Sequence, residues 1–162
     1  MRLASRFITV LCCSLIFTCV IEAQTRTKSR RPARITPATP PVQYFTSDKP
    51  RPFSDAVRVG QLLYLTGQLG TDSSGALVSG GIKAETKQTM ENIGRLLERT
   101  GSSFDQVVKC TVMLADMSEW GAMNEVYVTY FAKDRLPARS AFGVNGLARS
   151  ARVEIECVAT IK

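Results

Sequence analysis

The clearest pattern in the chain lies at its C-terminal end. Val153, Ile155, Cys157, Ala159 and Ile161 alternate with Glu154 and Glu156, so residues 152–161 read as a strand with one apolar and one mixed face. Residues 107–115 repeat the pattern, with Val108, Cys110, Val112 and Leu114 on one face and Lys109, Thr111 and Met113 on the other. Two stretches have helical spacing instead. Gly80-Gly81 opens a helix with an inner stripe of Ile82, Glu85 or Thr86, Thr89, Ile93, Leu96 and Leu97, and Thr100-Gly101 ends it. Ser118 is placed as the cap of a second helix, whose buried stripe is Trp120, Met123, Val126, Tyr127 and Tyr130-Phe131. Shorter strands are predicted at 42–45, 56–59 and 62–66, the last two joined by a turn at Val59-Gly60-Gln61. Gly67 and Gly70 mark a bulge or a close backbone approach. Pro137 stops the element before it, and an extended run at 139–144 follows.

The order strand, strand, strand, helix, strand, helix, strand, strand predicts an α+β fold: a single sheet with two helices packed on one face. The mixed face, with Lys109, Thr111, Met113, Glu154 and Glu156, is then left open, which predicts oligomerisation over it.

Composition adds an appendage. Arg2 and Arg6 precede an apolar run at 7–21, so residues 1–23 read as a secretory signal peptide, too short for a comfortable membrane span. A lipoprotein anchored at Cys19 and an uncleaved anchor are the competing readings. The signal predicts an exported protein, periplasmic or secreted, with no stable membrane span once it is removed. Residues 24–41, rich in Arg, Thr and Pro, read as a basic linker, and residues 42–162 as the folded domain. The net charge of +7 divides as +1, +5 and +1 over these three segments. The domain is thus nearly neutral, and no nucleic-acid partner is expected.

Chemistry narrows next. The chain has no histidine, and three of its five cysteines, Cys12, Cys13 and Cys19, lie in the leader. Neither a zinc set nor a Cys–His or Ser-His-Asp arrangement can be assembled, and no metal is expected. Cys110 and Cys157 are placed on the apolar faces as buried thiols; a disulfide between them depends on a distance that sequence does not give. Leu136-Pro137-Ala138-Arg139-Ser140 sets a guanidinium at the mouth of a strand behind a stiff turn, suited to bidentate capture of a carboxylate. Arg139 and Glu154 read either as a site or as structural charges, Glu154 then pairing with Lys109 or Arg152.

Thr66-Gly67-Gln68, Asn92, Val108-Lys109-Cys110-Thr111-Val112, Asn124-Glu125-Val126-Tyr127 with Tyr130-Phe131, Pro137-Ala138-Arg139-Ser140, and Val153-Glu154-Ile155-Glu156-Cys157-Val158-Ala159 together resemble the RidA (YjgF) family over residues 44–162. The resemblance implies a chorismate-mutase-like α+β fold and a homotrimer with sites in the clefts between subunits. It implies hydrolysis of reactive enamines and imines, such as 2-aminoacrylate, to 2-keto acids and ammonia, with no metal or organic cofactor. It implies that Arg139 grips the substrate carboxylate, that Glu154 positions or activates the attacking water, and that Gly67 is a backbone group near the ligand. Phe53 and Ala141 fall in the implied substrate site, where active members usually have a tyrosine and many members a cysteine. Asn124 and Tyr127 match signature positions and read as structural. Two rival readings remain: a trimeric module that binds small carboxylates without turnover, and an endoribonuclease or translation inhibitor.

Overall fold

The computed structural model describes residues 39–48 and 50–161. The predicted leader 1–23 and residues 24–38 of the predicted linker lie outside the described residues, as do Lys49 and Lys162. The strands are β1 (Val42–Phe45), β2 (Ala56–Val59), β3 (Leu62–Leu65), β4 (Gln68–Leu69), β5 (Val107–Leu114), β6 (Ala138–Gly143) and β7 (Val153–Thr160). The helices are α1 (Gly81–Arg99) and α2 (Trp120–Tyr127). They build one seven-stranded sheet in the order β1-β2-β3-β7-β5-β6, with β4 also paired to β7. β5 and β6 run parallel, and the other pairs are antiparallel.

The alternation in β7 is carried through as expected: Val153, Ile155, Cys157 and Ala159 are buried, beside Cys110, Val112 and Leu114 of β5 and Leu63 and Leu65 of β3. Ile82, Met90, Ile93, Leu96 and Leu97 of α1 and Met123 and Tyr127 of α2 close over this face. Each such aliphatic side chain withdrawn from water contributes roughly 1.5–3 kcal/mol. The other sheet face is left open, with Leu62 and Tyr64 39% and 46% exposed. The fold is the predicted α+β arrangement of one sheet and two helices.

Three local expectations are corrected. Val108 is exposed and Val107 is buried in its place, because β5 bulges there: Val107 pairs with Ala159 and Lys109 with Val158, so two residues advance against one. Trp120 is not part of a buried stripe but is 39% exposed. Ser118 is not the cap; Asp116 caps a 3-10 turn at Met117–Glu119 through Ser118 N–H (2.8 Å), and α2 continues from that turn. Met90 is an addition to the inner stripe of α1, fully buried one position after Thr89.

Cys110 and Cys157 lie directly opposite each other on β5 and β7 and are joined by a disulfide, with a Cα–Cα distance of 4.1 Å. The register settles what the sequence left open. Glu85, buried on α1, accepts the Arg152 backbone N–H at 2.9 Å, which satisfies a carboxylate that would otherwise be costly inside.

Candidate functional site

Two groups of predicted site residues are found in two different places. The first is a bulge. From the Tyr64↔Val158 pair to the Gln68↔Ile155 pair the chain advances four residues against three on β7. The extra residue falls at Thr66-Gly67, where β3 breaks from β4. Both readings of Gly67 therefore apply together, since the bulge is also a close approach. A Cβ on Gly67 would stand 2.0 Å from Glu154 Oε1, so only glycine leaves the carboxylate room. Gln68 Nε2 donates to the Thr66 and Gly67 carbonyls at 3.2 and 3.3 Å and holds the bulge in shape.

Glu154 itself is half-buried on the open face, on the side opposite the helices, as the alternation predicts. Among the described residues no ion pair or hydrogen bond engages its carboxylate. The two partners considered for it are otherwise occupied: Arg152 Nη1 donates to Glu119 at 2.6 Å, and Lys109 Nζ to Ser140 Oγ at 3.0 Å. Burial, helped by the neighbouring charge of Glu156, pushes the Glu154 carboxyl above its ordinary range. An unpaired carboxylate of raised basicity, half-open to water, can accept a proton from a water molecule.

The second place is the edge strand β6. Arg139 pairs in register with Cys110, whose side chain is buried beneath the helices, so Arg139 is directed to the helix side of the sheet. There α2 forms its mount. Nη1–H donates to Asn124 Oδ1 at 2.8 Å, and the guanidinium lies 4.7 Å from the Tyr127 ring centroid and 5.6 Å from that of Trp120. Tyr127 is pushed up to about 12 by burial, against a smaller opposing effect of the Arg139 charge. One of the five guanidinium N–H donors is engaged by Asn124, and half-exposure leaves others for a planar anion.

The sequence marks Asn124 and Tyr127 only as signature positions and Trp120 and Tyr127 only as part of a helix stripe. Their spacing of four and three residues places them on one face of α2, and that was the available signal. Ala141 lies two residues beyond Arg139 on the same side, partly buried against the core. Phe53 is elsewhere, 53% exposed in the loop between β1 and β2, with the Arg51 guanidinium 5.9 Å from its ring centroid. Within one chain, then, Gly67 and Glu154 are brought together, and Arg139 and Ala141 are brought together. The two pairs face opposite sides of the sheet. Among the described residues no three His, Cys, Asp or Glu side chains converge to hold a metal ion, and no helix is long and apolar enough to cross a membrane.

Comparison with known proteins agrees with the resemblance. A family model described as Endoribonuclease L-PSP matches residues 46–161. The chain is 50% identical over 109 residues to 2-iminobutanoate/2-iminopropanoate deaminase of Mus musculus, covering 67% of this chain and 80% of that protein. It is 48% identical over 109 residues to the Homo sapiens protein of the same name, covering 67% and 79%. Among solved structures, RidA from the Antarctic bacterium Psychrobacter sp. PAMC 21119 superposes with a TM-score of 0.68 at 37% identity, covering 74% of this chain and 99% of that one. One expectation is overturned. A relative whose name states a compartment, Reactive Intermediate Deaminase A of Arabidopsis thaliana, 39% identical over 111 residues, is chloroplastic. The exported, periplasmic or secreted location drawn from residues 1–23 is accordingly withdrawn. The match spans nearly the whole described domain, and the chain belongs to the RidA family, whose model carries the description Endoribonuclease L-PSP.

Proposed function

We propose that this chain is an enamine/imine deaminase that hydrolyses reactive 2-imino acids to 2-keto acids and ammonia, with Arg139 and Glu154 as its working pair. Relatives at about half identity bear the name 2-iminobutanoate/2-iminopropanoate deaminase, which supports the reaction class. The observation that carries the residue assignment is the free carboxylate of Glu154, cramped against Gly67 and engaged by nothing else among the described residues.

The chemistry asks little of the protein. An enamine such as 2-aminoacrylate tautomerises to 2-iminopropanoate. Water adds to the C=N carbon, with its proton passing to Glu154. Glu154 returns that proton to the nitrogen to give the neutral carbinolamine; the hydroxyl proton then passes by way of Glu154 to the nitrogen as the C–N bond breaks, so that ammonia leaves and the carbonyl forms. Arg139 holds the substrate carboxylate through paired N–H donors and fixes which face of the imine meets the water. Gly67 lets the substrate approach the backbone beside Glu154, Phe53 supplies an apolar edge, and Ala141 leaves space where a larger side chain would intrude.

The active unit is a homotrimer, with each site assembled between subunits. Supporting this are the opposite facing of Arg139 and Glu154 within one chain and the exposed apolar side chains of the open sheet face, Tyr44, Leu62, Tyr64 and Phe142 among them. Light scattering on residues 42–162 should give three times the monomer mass, and a monomer at micromolar concentration would reject the shared site. No nucleic acid enters this reading, because the domain is nearly neutral. The second reading, a trimeric module that binds keto acids without turnover, is favoured by one observation only, the phenylalanine at position 53. A coupled assay with oxidase-generated imines beside calorimetry with pyruvate separates the two: turnover above the rate in water supports the enzyme, and pyruvate binding without turnover supports the module.

A further inference from the structure

A cleft of about 590 Å³ opens between Ser47, Arg51 and Asp55 ahead of β2, Gln68 of β4, the turn at 71–73 and residues 88–99 of α1. Its organising residue is Asp55, whose carboxylate is only 7% exposed. Arg51 Nη1 meets Asp55 Oδ1 at 3.1 Å and Arg99 Nη2 meets Oδ2 at 2.5 Å. The buried acid thus pins two guanidinium groups that are themselves 45% and 48% exposed towards the cleft. Arg95 joins them from the next turn of α1 and is held by Asn92 Oδ1, while Asn92 Nδ2 is anchored on the Leu69 and Thr71 carbonyls at 2.8 and 3.0 Å.

Charge accounting at this place is uneven. Three guanidinium groups and three carboxylates line the cleft, and the Lys87 ammonium beside Glu91 brings the local count to four cations against three anions. Glu91 pairs with Lys87 at 3.5 Å, and Asp72 turns its carboxylate into its own turn, accepting from Ser74 and Ala76. Each arginine retains most of its N–H donors. Leu96 is the one apolar residue in the lining, which offers no platform for a ring.

We propose that this cleft is a binding site for a small hydrophilic polyanion, a polycarboxylate or a phosphorylated compound without an aromatic part, gripped by Arg51, Arg95 and Arg99. Asp55 is the positioning residue: it tethers each of two guanidinium groups through one nitrogen before the ligand arrives, so less side-chain freedom is lost on binding. The cleft borders the Gly67 bulge through Gln68 but is lined by neither Arg139 nor Glu154, and the proposal does not depend on the deaminase reading.

The test is calorimetry of the full chain with citrate and, in a second arm, pyrophosphate, at low ionic strength. Binding with a Kd at or below about 1 mM is expected for at least one probe. Both probes binding marks recognition by charge, whereas citrate alone marks the carboxylate class and pyrophosphate alone the phosphorylated class. The decisive variant is Arg95→Gln, which removes a grip without touching the Asp55 ion pairs and should weaken binding about tenfold or more. Arg139→Ala should bind the probe as wild type does. No heat with either probe overturns the site, as does binding lost in Arg139→Ala but kept in Arg95→Gln. Because Arg95 is an exposed side chain, an unchanged melting temperature in Arg95→Gln keeps a loss of binding from being a folding effect.

Discussion

The two halves of the proposed site are built by opposite means. At Gly67 and Glu154 the geometry is a backbone matter: a one-residue bulge brings main chain so close to a carboxylate that no side chain fits between them. At Arg139 it is a side-chain matter, since one amide and two aromatic rings on a single helix face hold the guanidinium on a strand edge. The first half leaves its acid without a partner, and burial together with the Glu156 charge raises its carboxyl above the ordinary glutamate range. The second surrounds its cation with partners and therefore fixes its direction. A site that needs an uncommitted base and a committed clamp gains from keeping them on separate elements, because side by side they would neutralise each other as an ion pair.

The largest expected effect is on the clamp. Arg139→Ala should lower kcat/KM about a hundredfold or more, and Arg139→Lys about ten- to hundredfold, because an ammonium keeps the charge but not the planar fork. The melting temperature should change little in Arg139→Lys, since the residue sits on the edge strand, only partly buried, and a lysine stem can still cover the α2 rings. Mixing Arg139→Ala with Glu154→Gln chains after unfolding and refolding should restore part of the activity if each site takes one half from each neighbour. Mixtures as inactive as their components would break the comparison.

The base should respond next. Glu154→Gln should slow turnover about a hundredfold while pyruvate binding is retained. Its effect on stability has the opposite sign. Burial and Glu156 raise the Glu154 carboxyl, so the folded state favours the protonated form. The stabilisation this gives is full below the ordinary glutamate value of 4.5 and is lost as pH rises through the higher folded-state value. Glu156 on the same strand and Lys109 on β5 are the charged groups facing this region, and the lysine is engaged by Ser140. Glu154→Gln should therefore melt above wild type at pH 7 and lose that advantage on acidification, and the kcat/KM of the wild type should fall off in acid at a higher pH than an ordinary glutamate would give. A variant that melts below wild type at neutral pH would mean a structural ion pair after all. Gly67→Ala should reproduce the rate loss in milder form by pushing the Glu154 side chain aside, with the fold kept because the obstructing atoms belong to a flexible carboxylate.

How far this could be read in advance follows from the same contrast. Alternation in β7 placed Cys157 and Glu154 on their correct faces, because period-two burial is a local property of the chain. The inner stripe of α1 was legible for the same reason. Position 108 failed, since a bulge shifts register by one residue and leaves no mark in a run of similar valines. The Cys110–Cys157 bond could not be read because it depends on which two strands become neighbours and in what register. The mount of Arg139 was half visible: residues 120, 124 and 127 share a helix face, but nothing in the sequence says that a strand edge delivers an arginine to them. The separation of Arg139 from Glu154 escaped entirely. Facing follows from register across β5, which sets Arg139 level with Cys110 and Cys110 level with Cys157, on the face opposite to Glu154.

The smallest effect is the most discriminating for the clamp. Tyr127 contributes two things near Arg139, a ring face at 4.7 Å and a hydroxyl that is buried without a hydrogen-bond partner among the described residues. If the ring alone mounts the guanidinium, Tyr127→Phe keeps everything that matters. It should leave kcat and KM within about twofold of wild type and raise stability by up to roughly 1 kcal/mol, since it removes a polar group buried without compensation. A hydroxyl that served instead as a proton donor would behave differently. With its pKa pushed up to about 12 it stays protonated throughout the working range, so its removal would lower kcat by a large and pH-independent factor. Melting curves and steady-state rates on this one variant therefore decide whether the aromatic floor under Arg139 is a support or a participant.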